Sequence, residues 1–374
     1  MTTTWGSLTT SLLDSAKDKK VPIVGAFELT ARCNFQCKMC YVCRPASCKH
    51  SISRERSTDE WISLAEEIRD AGALFVTLTG GEIFLRKDIQ EIYESMTQMG
   101  YRITLYTNGS LITPELAKWL SKIPPALVSV TLYGGSEKTY EEVCGNPQGF
   151  GMTLKGIDAL LEEGIKVELK TTIVRGNYHD YDKMAALAKE RGLVLEMVDY
   201  ISPRREGEYS DPVGERLNPS EFVRFVQYVE EYKRSQNTAL TSRSIEDSIN
   251  AMDIKVVENE KFRNSQDAFR CTAGKCGFWI SWDGRLLPCG LLNEPSSQPI
   301  EIGFNAAWDE LIQKCSRVPD CKDCKKCELL NECRYCAARL VAETGSFEKP
   351  APYVCEYTRE TMRAKESKPL KVIS

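Results

Sequence analysis

The first two thirds of the chain alternate between short apolar segments and longer segments with helical periodicity. The apolar segments are rich in β-branched residues, which is typical of buried parallel strands. They cover residues 23–29, 74–78, 102–106, 127–131, 166–173 and 194–198. Helical patterns follow them, and parallel strands joined by helices take right-handed crossovers. The pattern therefore predicts an α/β fold built on a partial (β/α)6 barrel of the TIM type, with the active site at the carboxyl ends of the strands.

Several helix starts are marked by capping residues. Ser57-x-x-Glu60 is a capping-box pattern that begins a helix at Thr58. Thr113-Pro114 and Asn218-Pro219 each place a capping residue before a proline in the first turn. Further helices are predicted from the apolar stripe that begins at Ile89 and over residues 154–163 and 181–190.

The cysteines divide the chain. Six of the 16 lie between residues 33 and 144, none lies between 145 and 270, and ten lie between 271 and 355. Residues 235–269 are polar with little periodicity, which predicts a bridging segment. We expect an N-terminal extension at 1–20, the barrel at 21–234 and a small cysteine-rich iron–sulfur domain at 270–374.

Composition excludes several classes of protein. The 49 Lys and Arg against 53 Asp and Glu leave a formal charge of -4, so we expect neither a nucleic-acid partner nor a basic membrane patch. No export signal and no run of 18 apolar residues is present, which predicts a cytoplasmic protein that does not enter a membrane. Thiols stay reduced in that compartment, so the cysteines indicate metal or redox chemistry.

The first chemical motif is Cys33-x3-Cys37-x2-Cys40, directly after the first predicted strand. Three thiolates at this spacing are able to hold three irons of a cuboidal cluster and leave the fourth iron open to a ligand. The alternative is a zinc knuckle that uses Cys37 and Cys40 with Cys43 or His50, because Cys-x2-Cys pairs are common zinc ligands.

The second motif, Gly80-Gly81-Glu82, ends the second predicted strand. Two glycines allow the backbone to approach a ligand closely, and a carboxylate accepts hydrogen bonds from an ammonium group. A tight turn without a ligand is the alternative. The two motifs together resemble the radical S-adenosylmethionine (SAM) superfamily, whose cysteine triad carries a bulky residue, here Met39, before its last cysteine. The resemblance implies that Gly80, Gly81 and Glu82 hold the methionyl amino group of SAM.

The resemblance also implies cofactor contacts at other strand ends. Asn108 ends the third predicted strand, Thr131 the fourth, Lys170 lies on the fifth and Tyr200 follows the sixth. A plain role at the barrel rim or in the core is an equal alternative for each. An arginine that relatives often carry about a dozen residues after the position of Thr131 is replaced here by Val143.

Eight of the ten C-terminal cysteines form a second set, and eight is the number that two fully ligated cubane clusters require. This set resembles the SPASM extension of peptide-modifying radical enzymes, which carries two auxiliary clusters. By position, the resemblance assigns Cys271, Cys276, Cys289 and Cys336 to the nearer cluster and Cys324, Cys327, Cys333 and Cys355 to the farther one. Cys321 extends a ferredoxin-like run and is an alternative ligand, and a zinc ribbon is the alternative site.

The remaining cysteines and a basic pair have weaker interpretations. Cys144 and Cys315 are expected to be buried core residues. Cys43 and Cys48 lie just past the triad, and Cys43 is the candidate catalytic thiol of a redox-neutral reaction. Arg204 and Arg205 predict an exposed basic pair.

The resemblance implies three 4Fe-4S clusters, reductive cleavage of SAM to a 5′-deoxyadenosyl radical, and hydrogen abstraction from a substrate. SPASM-bearing relatives suggest a ribosomally made precursor peptide, an oxidative thioether, C–C or C–O crosslink, and a ferredoxin or flavodoxin reductant. About twenty residues precede the barrel, so we expect a separate leader-binding protein. The alternatives are peptide epimerisation, oxidation of a sulfatase-type protein or a small sugar alcohol, and an iron–sulfur electron carrier. Sulfatase-modifying relatives place an aspartate where this chain has Gly290.

Overall fold

The computed structural model describes residues 5–42, 44–198, 200–206, 210–235 and 267–366, and an eight-stranded sheet lies at its centre. The strands of the described chain are β1 (Val24–Thr30), β2 (Arg32–Cys33), β3 (Arg44–Pro45), β4 (Phe75–Gly80), β5 (Arg102–Thr107), β6 (Leu127–Thr131), β7 (Val167–Thr172), β8 (Leu195–Val198), β9 (Gly277–Ile280) and β10 (Leu286–Leu287). The large sheet has the order β10-β9-β1-β4-β5-β6-β7-β8, and β2 pairs with β3 separately. Six of these strands are the six predicted from sequence, so the partial barrel is confirmed.

The six barrel strands run parallel because a helical segment crosses over between each consecutive pair. Val24 lies opposite Phe75 in the first pair, and Leu169 lies opposite Leu195 in the last. Every residue of β1 is buried, as the apolar pattern of residues 23–29 predicts. A bulge between Glu28 and Thr30 ends the regular pairing of β1 with β4, just before the cysteine motif.

Fifteen α-helices surround the sheet in the described ranges. They are α1 (Trp5–Lys19), α2 (Lys49–Ile52), α3 (Thr58–Asp70), α4 (Ile89–Gln98), α5 (Pro114–Lys122), α6 (Glu137–Cys144), α7 (Gly149–Glu162), α8 (Tyr181–Glu190), α9 (Pro212–Glu215), α10 (Pro219–Ser235), α11 (Pro299–Ile302), α12 (Phe304–Ser316), α13 (Lys322–Lys326), α14 (Ala337–Thr344) and α15 (Pro352–Glu366). None of these helices combines the length and the apolar character that a membrane crossing needs.

The predicted caps are present. The Ser57 hydroxyl accepts a hydrogen bond from the Glu60 amide at 3.3 Å, and the Glu60 carboxylate accepts one from the Ser57 amide at 2.8 Å. Thr113 caps α5 through the Leu116 amide at 3.2 Å. The sequence predicts a helix over residues 154–163, but α7 begins five residues earlier, at Gly149. Glycines at the start of this helix weaken the local helical signal.

The C-terminal residues add to the barrel sheet, which the sequence pattern did not indicate. β9 lies parallel to β1, with Val24 opposite Gly277 and Phe27 opposite Ile280. The Phe278 ring meets the Phe27 ring at 6.1 Å, so one core continues from the barrel into the C-terminal residues. The predicted bridging segment lies outside the described residues except for residue 235 and residues 267–269.

Candidate functional site

The loop that carries Cys33, Cys37 and Cys40 leaves the carboxyl end of β1 and is anchored to the end of α6. The Gln36 amide donates to the Cys144 carbonyl at 2.9 Å, and the Cys40 amide donates to the Cys37 carbonyl at 3.1 Å. These bonds hold the loop in a tight coil over the strand ends. Met39 lies in the core beneath it, 7% exposed.

The three thiols lie close enough to perturb one another. Burial, together with the charges of Cys37, Glu82 and Cys40, raises the pKa of Cys33 well above its ordinary value. A hydrogen bond with Cys144, together with burial, raises the pKa of Cys37 in the same direction. Cluster binding needs thiolates, so assembly of a cluster here releases protons.

Three thiols on one loop are a donor set that a cuboidal cluster accepts. Among the described residues no three Cys, His, Asp or Glu side chains converge on a point that would hold one metal ion. A cuboidal cluster takes each thiolate on a different iron, so its ligands need not converge. Cys43, the candidate catalytic thiol and a zinc-ligand alternative, lies outside the described residues.

The Gly80-Gly81-Glu82 turn lies against the segment that leads into Cys33. The Gly81 amide donates to the Thr30 carbonyl at 2.7 Å, and the Glu82 amide donates to the Arg32 carbonyl at 2.8 Å. Gly80 has φ +145°, and a Cβ atom there would lie 2.2 Å from the Thr30 carbonyl oxygen. A Cβ atom on Gly81 would lie 2.2 Å from the Arg32 carbonyl oxygen. Both glycines are therefore required by the close approach of two backbones.

Glu82 is fully buried and ties the turn to the end of β5. Its carboxylate accepts hydrogen bonds from the Thr107 hydroxyl at 2.8 and 2.9 Å, the Asn108 amide at 2.8 Å and the Phe84 amide at 3.1 Å. Burial raises the pKa of Glu82 to about 7, against the opposite effect of these donors. The structure thus assigns the carboxylate several partners within the chain.

Asn108 continues this network into the cysteine loop. Its side-chain amide donates to Asn34 Oδ1 at 2.9 Å and approaches Cys33 Sγ at 3.7 Å. Asn108 Oδ1 accepts from the Ser110 amide at 2.9 Å. The cysteine motif, the Gly80-Gly81-Glu82 turn and Asn108 therefore meet at the carboxyl edge of β1, β4 and β5.

The other predicted contact residues lie elsewhere on the sheet. Thr131 and Lys170 are neighbours across β6 and β7. Lys170 Nζ forms an ion pair with Glu168 at 2.9 Å and lies 4.8 Å from the centre of the Tyr106 ring.

Tyr200 is turned toward the C-terminal residues. Its hydroxyl donates to Glu343 at 2.7 Å, and the Arg339 guanidinium lies 4.2 Å from its ring centre. The structure therefore places Tyr200 against α14 and not with the residues around Cys33.

The exposed basic pair predicted at 204–205 is wrong for Arg205, because its side chain is only 1% exposed and pairs with Glu28 at 2.6 Å. Arg205 also donates to the Gly290 carbonyl at 2.9 Å and lies 5.3 Å from the Tyr41 ring. Trp279 of β9 donates to the same Glu28 carboxylate at 3.2 Å. This buried ion pair was not predicted, since its two members lie 177 positions apart in the sequence.

The ion pair lies between the cysteine triad and the C-terminal cysteines. Tyr41 follows Cys40 in the chain. Burial and the charge of Glu28 raise the pKa of the Tyr41 phenol most, and the nearby thiols of Cys40 and Cys289 act in the same direction. Burial raises the pKa of Cys289 to about 12, and Arg205 opposes that shift.

The C-terminal cysteines separate into groups. Burial and the charge of Cys336 raise the pKa of Cys271 to about 11, and both thiols also act on Cys289. Cys276 is fully buried in an apolar cluster with residues of α1, β1 and β4, and burial raises its pKa to about 11 with Cys271 acting in the same direction. Five other cysteines perturb one another farther out: Cys321, Cys324, Cys327, Cys333 and Cys355. Cys321 is buried and donates to the Glu348 carbonyl at 3.1 Å, and Cys315 lies in the core near Cys271.

The chain is similar to several known proteins. Residues 27–190 match the family described as the Radical SAM superfamily. The chain is 30% identical to the AdoMet-dependent heme synthase of Methanosarcina barkeri over 345 residues, which cover 90% of this chain and 97% of the synthase. It is 26% identical to the sporulation killing factor maturation protein SkfB of Bacillus subtilis over 83% of this chain and 71% of SkfB. The structure of Streptococcus suis SuiB bound to S-adenosylmethionine shares the fold, with a TM-score of 0.66, 18% identity, and coverage of 94% of this chain and 82% of SuiB.

Proposed function

Because the chain belongs to the radical SAM superfamily, we propose that it is an oxidoreductase that binds SAM at a 4Fe-4S cluster held by Cys33, Cys37 and Cys40. The observation that carries the proposal is the junction of the cysteine loop with Glu82 and Asn108 at one sheet edge. SAM bound at such a cluster would supply a 5′-deoxyadenosyl radical for hydrogen abstraction from the substrate.

The chain's own residues orient the cofactor and exclude water. Gly80 and Gly81 allow the turn to lie directly against the backbone of Thr30 and Arg32, and the turn fixed there is proposed to hold the amino group of SAM. Glu82 fixes the positions of Thr107 and Asn108 through its hydrogen bonds, and Asn108 fixes one side of Cys33. Glu82, Thr107 and Asn108 are buried, so this part of the site is shielded from solvent.

The two C-terminal cysteine groups are proposed to hold two auxiliary 4Fe-4S clusters. Each group contains thiols that perturb one another and that lie in largely apolar surroundings. Their proposed role is to accept the electron that remains on the substrate after hydrogen abstraction. A ferredoxin or flavodoxin is the proposed reductant of the first cluster.

The proposed substrate is a ribosomally made precursor peptide, and the proposed reaction is an oxidative crosslink. SkfB is a maturation protein, and SuiB has been determined bound to the precursor peptide SuiA. A separate leader-binding protein is proposed as a partner. A sulfatase-type substrate is disfavoured, because a Cβ atom on Gly290 would lie 2.9 Å from three atoms of the Trp279 ring and leave no room for an aspartate.

An iron tetrapyrrole is the second candidate substrate. The match to the heme synthase of M. barkeri extends over nearly all of both chains. A second protein of that organism, an Fe-coproporphyrin III synthase, is 34% identical over 49% of this chain. Both candidate reactions use the same cofactor chemistry, so they are distinguished only by which substrate the protein converts.

The test uses the anaerobically reconstituted full chain with SAM, dithionite and, in separate reactions, peptides encoded beside the gene and iron porphyrins. Production of 5′-deoxyadenosine and the product mass are measured. A peptide lighter by about two hydrogens supports crosslinking. A porphyrin mass change supports the second candidate and overturns the peptide.

Two controls complete the test. Deuterium uptake from D2O without hydrogen loss, abolished by Cys43→Ala, overturns the oxidative assignment in favour of epimerisation. The variant with Cys33, Cys37 and Cys40 all replaced by alanine is expected to give no 5′-deoxyadenosine. If the unaltered chain also gives none, the proposed enzyme function is overturned.

A further inference from the structure

The end of α6 is fixed to the cysteine loop on both sides of Cys37. The Gln36 amide donates to the Cys144 carbonyl at 2.9 Å, and the Lys38 amide donates to the Val143 carbonyl at 3.0 Å. The donors of these two bonds are the residues directly before and after Cys37. The bonds therefore hold Cys144, the last residue of α6, beside the middle cysteine of the triad.

The Cys144 side chain reaches the sulfur of Cys37. The two thiols are in hydrogen-bonding contact. Cys144 is 0% exposed and Cys37 is 7% exposed, and a hydrogen bond in such surroundings is electrostatically stronger than one in water. Cys144 belongs to none of the proposed sets of cluster ligands, so this contact calls for a role of its own.

A second polar group approaches the same sulfur. Tyr133, in the loop after β6, forms a hydrogen bond with Cys37 through its hydroxyl. The Tyr133 amide donates to the Tyr140 hydroxyl at 3.3 Å, and its ring meets the Phe35 ring at 6.1 Å. These contacts fix the ring against the cysteine loop, so the Cys37 sulfur has one O–H group and one S–H group as neighbours.

Iron binding would fix the direction of both hydrogen bonds. A cysteine that ligates iron is a thiolate and has no proton to donate. Thiol and phenol groups are able to donate, and a thiolate beside them is an acceptor. With Cys37 bound to iron, the hydrogen bonds therefore run from Cys144 and from Tyr133 to the Cys37 sulfur.

We propose that Cys144 and Tyr133 are positioning residues that donate hydrogen bonds to the Cys37 ligand and thereby favour one-electron reduction of the triad cluster. The inference rests on the proposed 4Fe-4S cluster. Reduction adds one negative charge, which the ligand sulfurs share, and hydrogen bonds to those sulfurs help to set the reduction potential. The electron comes from the proposed ferredoxin or flavodoxin, so the two donors would ease its transfer.

A redox titration of the anaerobically reconstituted full chain tests the proposal. Electron paramagnetic resonance follows the signal that changes when SAM is added. Cys144→Ala and Tyr133→Phe are each expected to lower the ratio of reduced to oxidised cluster at a fixed poise about three- to tenfold, which is a potential about 30–60 mV more negative for one electron. Cys144→Ser keeps a donor at this position and is expected to return the potential toward that of the unaltered chain.

Two matched controls remove the same groups elsewhere. Cys315→Ala removes another buried thiol. Tyr101→Phe removes a hydroxyl that donates to the Ala65 carbonyl at 2.6 Å. Both controls are expected to keep the potential of the unaltered chain.

The Cys144 proton is observed directly by electron–nuclear double resonance on reduced protein exchanged into D2O without SAM. The measurement uses Tyr133→Phe, so that the phenol contributes no deuteron. A deuteron coupled to the cluster is expected in this variant and is expected to be lost when Cys144→Ala is added.

Several results would overturn the inference. They are an unchanged potential in Cys144→Ala, an equally lowered potential in Cys144→Ala and Cys144→Ser, and loss of about four irons in a folded Cys144→Ser variant, which would make Cys144 a ligand. If circular dichroism shows that Cys144→Ala has not folded, an unchanged potential in Tyr133→Phe overturns it. If the unaltered chain gives no signal that responds to SAM, the proposed cluster fails and the inference fails with it.

Discussion

Replacing Glu82 by glutamine changes one oxygen of a buried carboxylate into an NH2 group while keeping the shape of the side chain. One carboxylate oxygen accepts from the Phe84 amide and the other from the Asn108 amide, and the Thr107 hydroxyl lies within reach of both. Whichever way the new amide is turned, its NH2 group faces a backbone N–H. The substitution therefore places two donors against each other in a site without solvent.

The magnitude follows from those contacts. A hydrogen bond to a charged acceptor contributes about 1.5–3 kcal/mol, and a buried donor left without a partner costs about 1–3 kcal/mol. We expect the turn to lose its fixed position relative to Asn108, whose side chain approaches Cys33 at 3.7 Å. A loss of about 1.5–3 kcal/mol in SAM binding corresponds to an affinity about 10- to 150-fold weaker.

Calorimetric titration of SAM into the reconstituted protein measures the effect, with iron content and melting temperature as companions. The matched control is Glu94→Gln, because Glu94 accepts one bond from Trp119 at 2.7 Å on the outer helices. We expect this control to bind SAM like the unaltered chain.

A SAM analogue that lacks the amino group separates two roles of Glu82. If the carboxylate contacts the ammonium group, Glu82→Gln weakens the binding of SAM but not of the analogue. If the carboxylate instead positions Asn108, both ligands bind more weakly. Unchanged affinity and an unchanged melting temperature in Glu82→Gln would refute the reasoning.

Three further predictions concern the cysteine triad, the glycine turn and the buried ion pair. Replacing Cys33, Cys37 and Cys40 by alanine is expected to remove about four irons and all SAM cleavage while the C-terminal signals persist, as chemical iron analysis and electron paramagnetic resonance will show. Gly81→Ala is expected to displace the segment before Cys33 and weaken SAM binding, whereas Gly151→Ala, whose Cβ atom meets nothing within 4 Å, is expected to leave binding unchanged in the same titration. Arg205→Met is expected to lower the free energy of unfolding by about 3–5 kcal/mol because it leaves Glu28 buried without its partner, and adding Glu28→Leu is expected to restore much of the loss in denaturant titrations. Equal stability of the single and the double variant would contradict that account.

The barrel was predictable because its strands are buried on both faces and so carry a continuous apolar signal. All seven residues of β1 are buried, and the six predicted segments correspond to the six barrel strands. Strand β9 has only four residues, and its partner lies about 250 positions earlier, so no local pattern marks the pairing. Its position became visible only in three dimensions.

At the site, the residue types that meet were predictable, but the contacts among them were not. The glycine turn and Asn108 were identified as candidate contacts, and the structure brings both to the cysteine loop. The bonds from Thr107 and Asn108 to Glu82 were not foreseen, although the Thr107-Asn108-Gly109 motif at the end of β5 was the available signal. Arg205 was interpreted as exposed because the burial of a charged side chain depends on a partner, here Glu28, that sequence spacing cannot locate.

The pairing of β9 with β1 has a consequence for biosynthesis. β1 is made near the start of the chain, and its free edge receives β9 only after residue 280 has left the ribosome. Until then the nascent chain presents the unpaired N–H and C=O groups of a long, apolar strand, which is a template for aggregation. Synthesis of residues 1–234 alone is therefore expected to give an aggregating product, and co-expression of residues 267–374 as a separate fragment is expected to improve its solubility. The C-terminal residues would then act as a chaperone for the strand that precedes the cysteine triad.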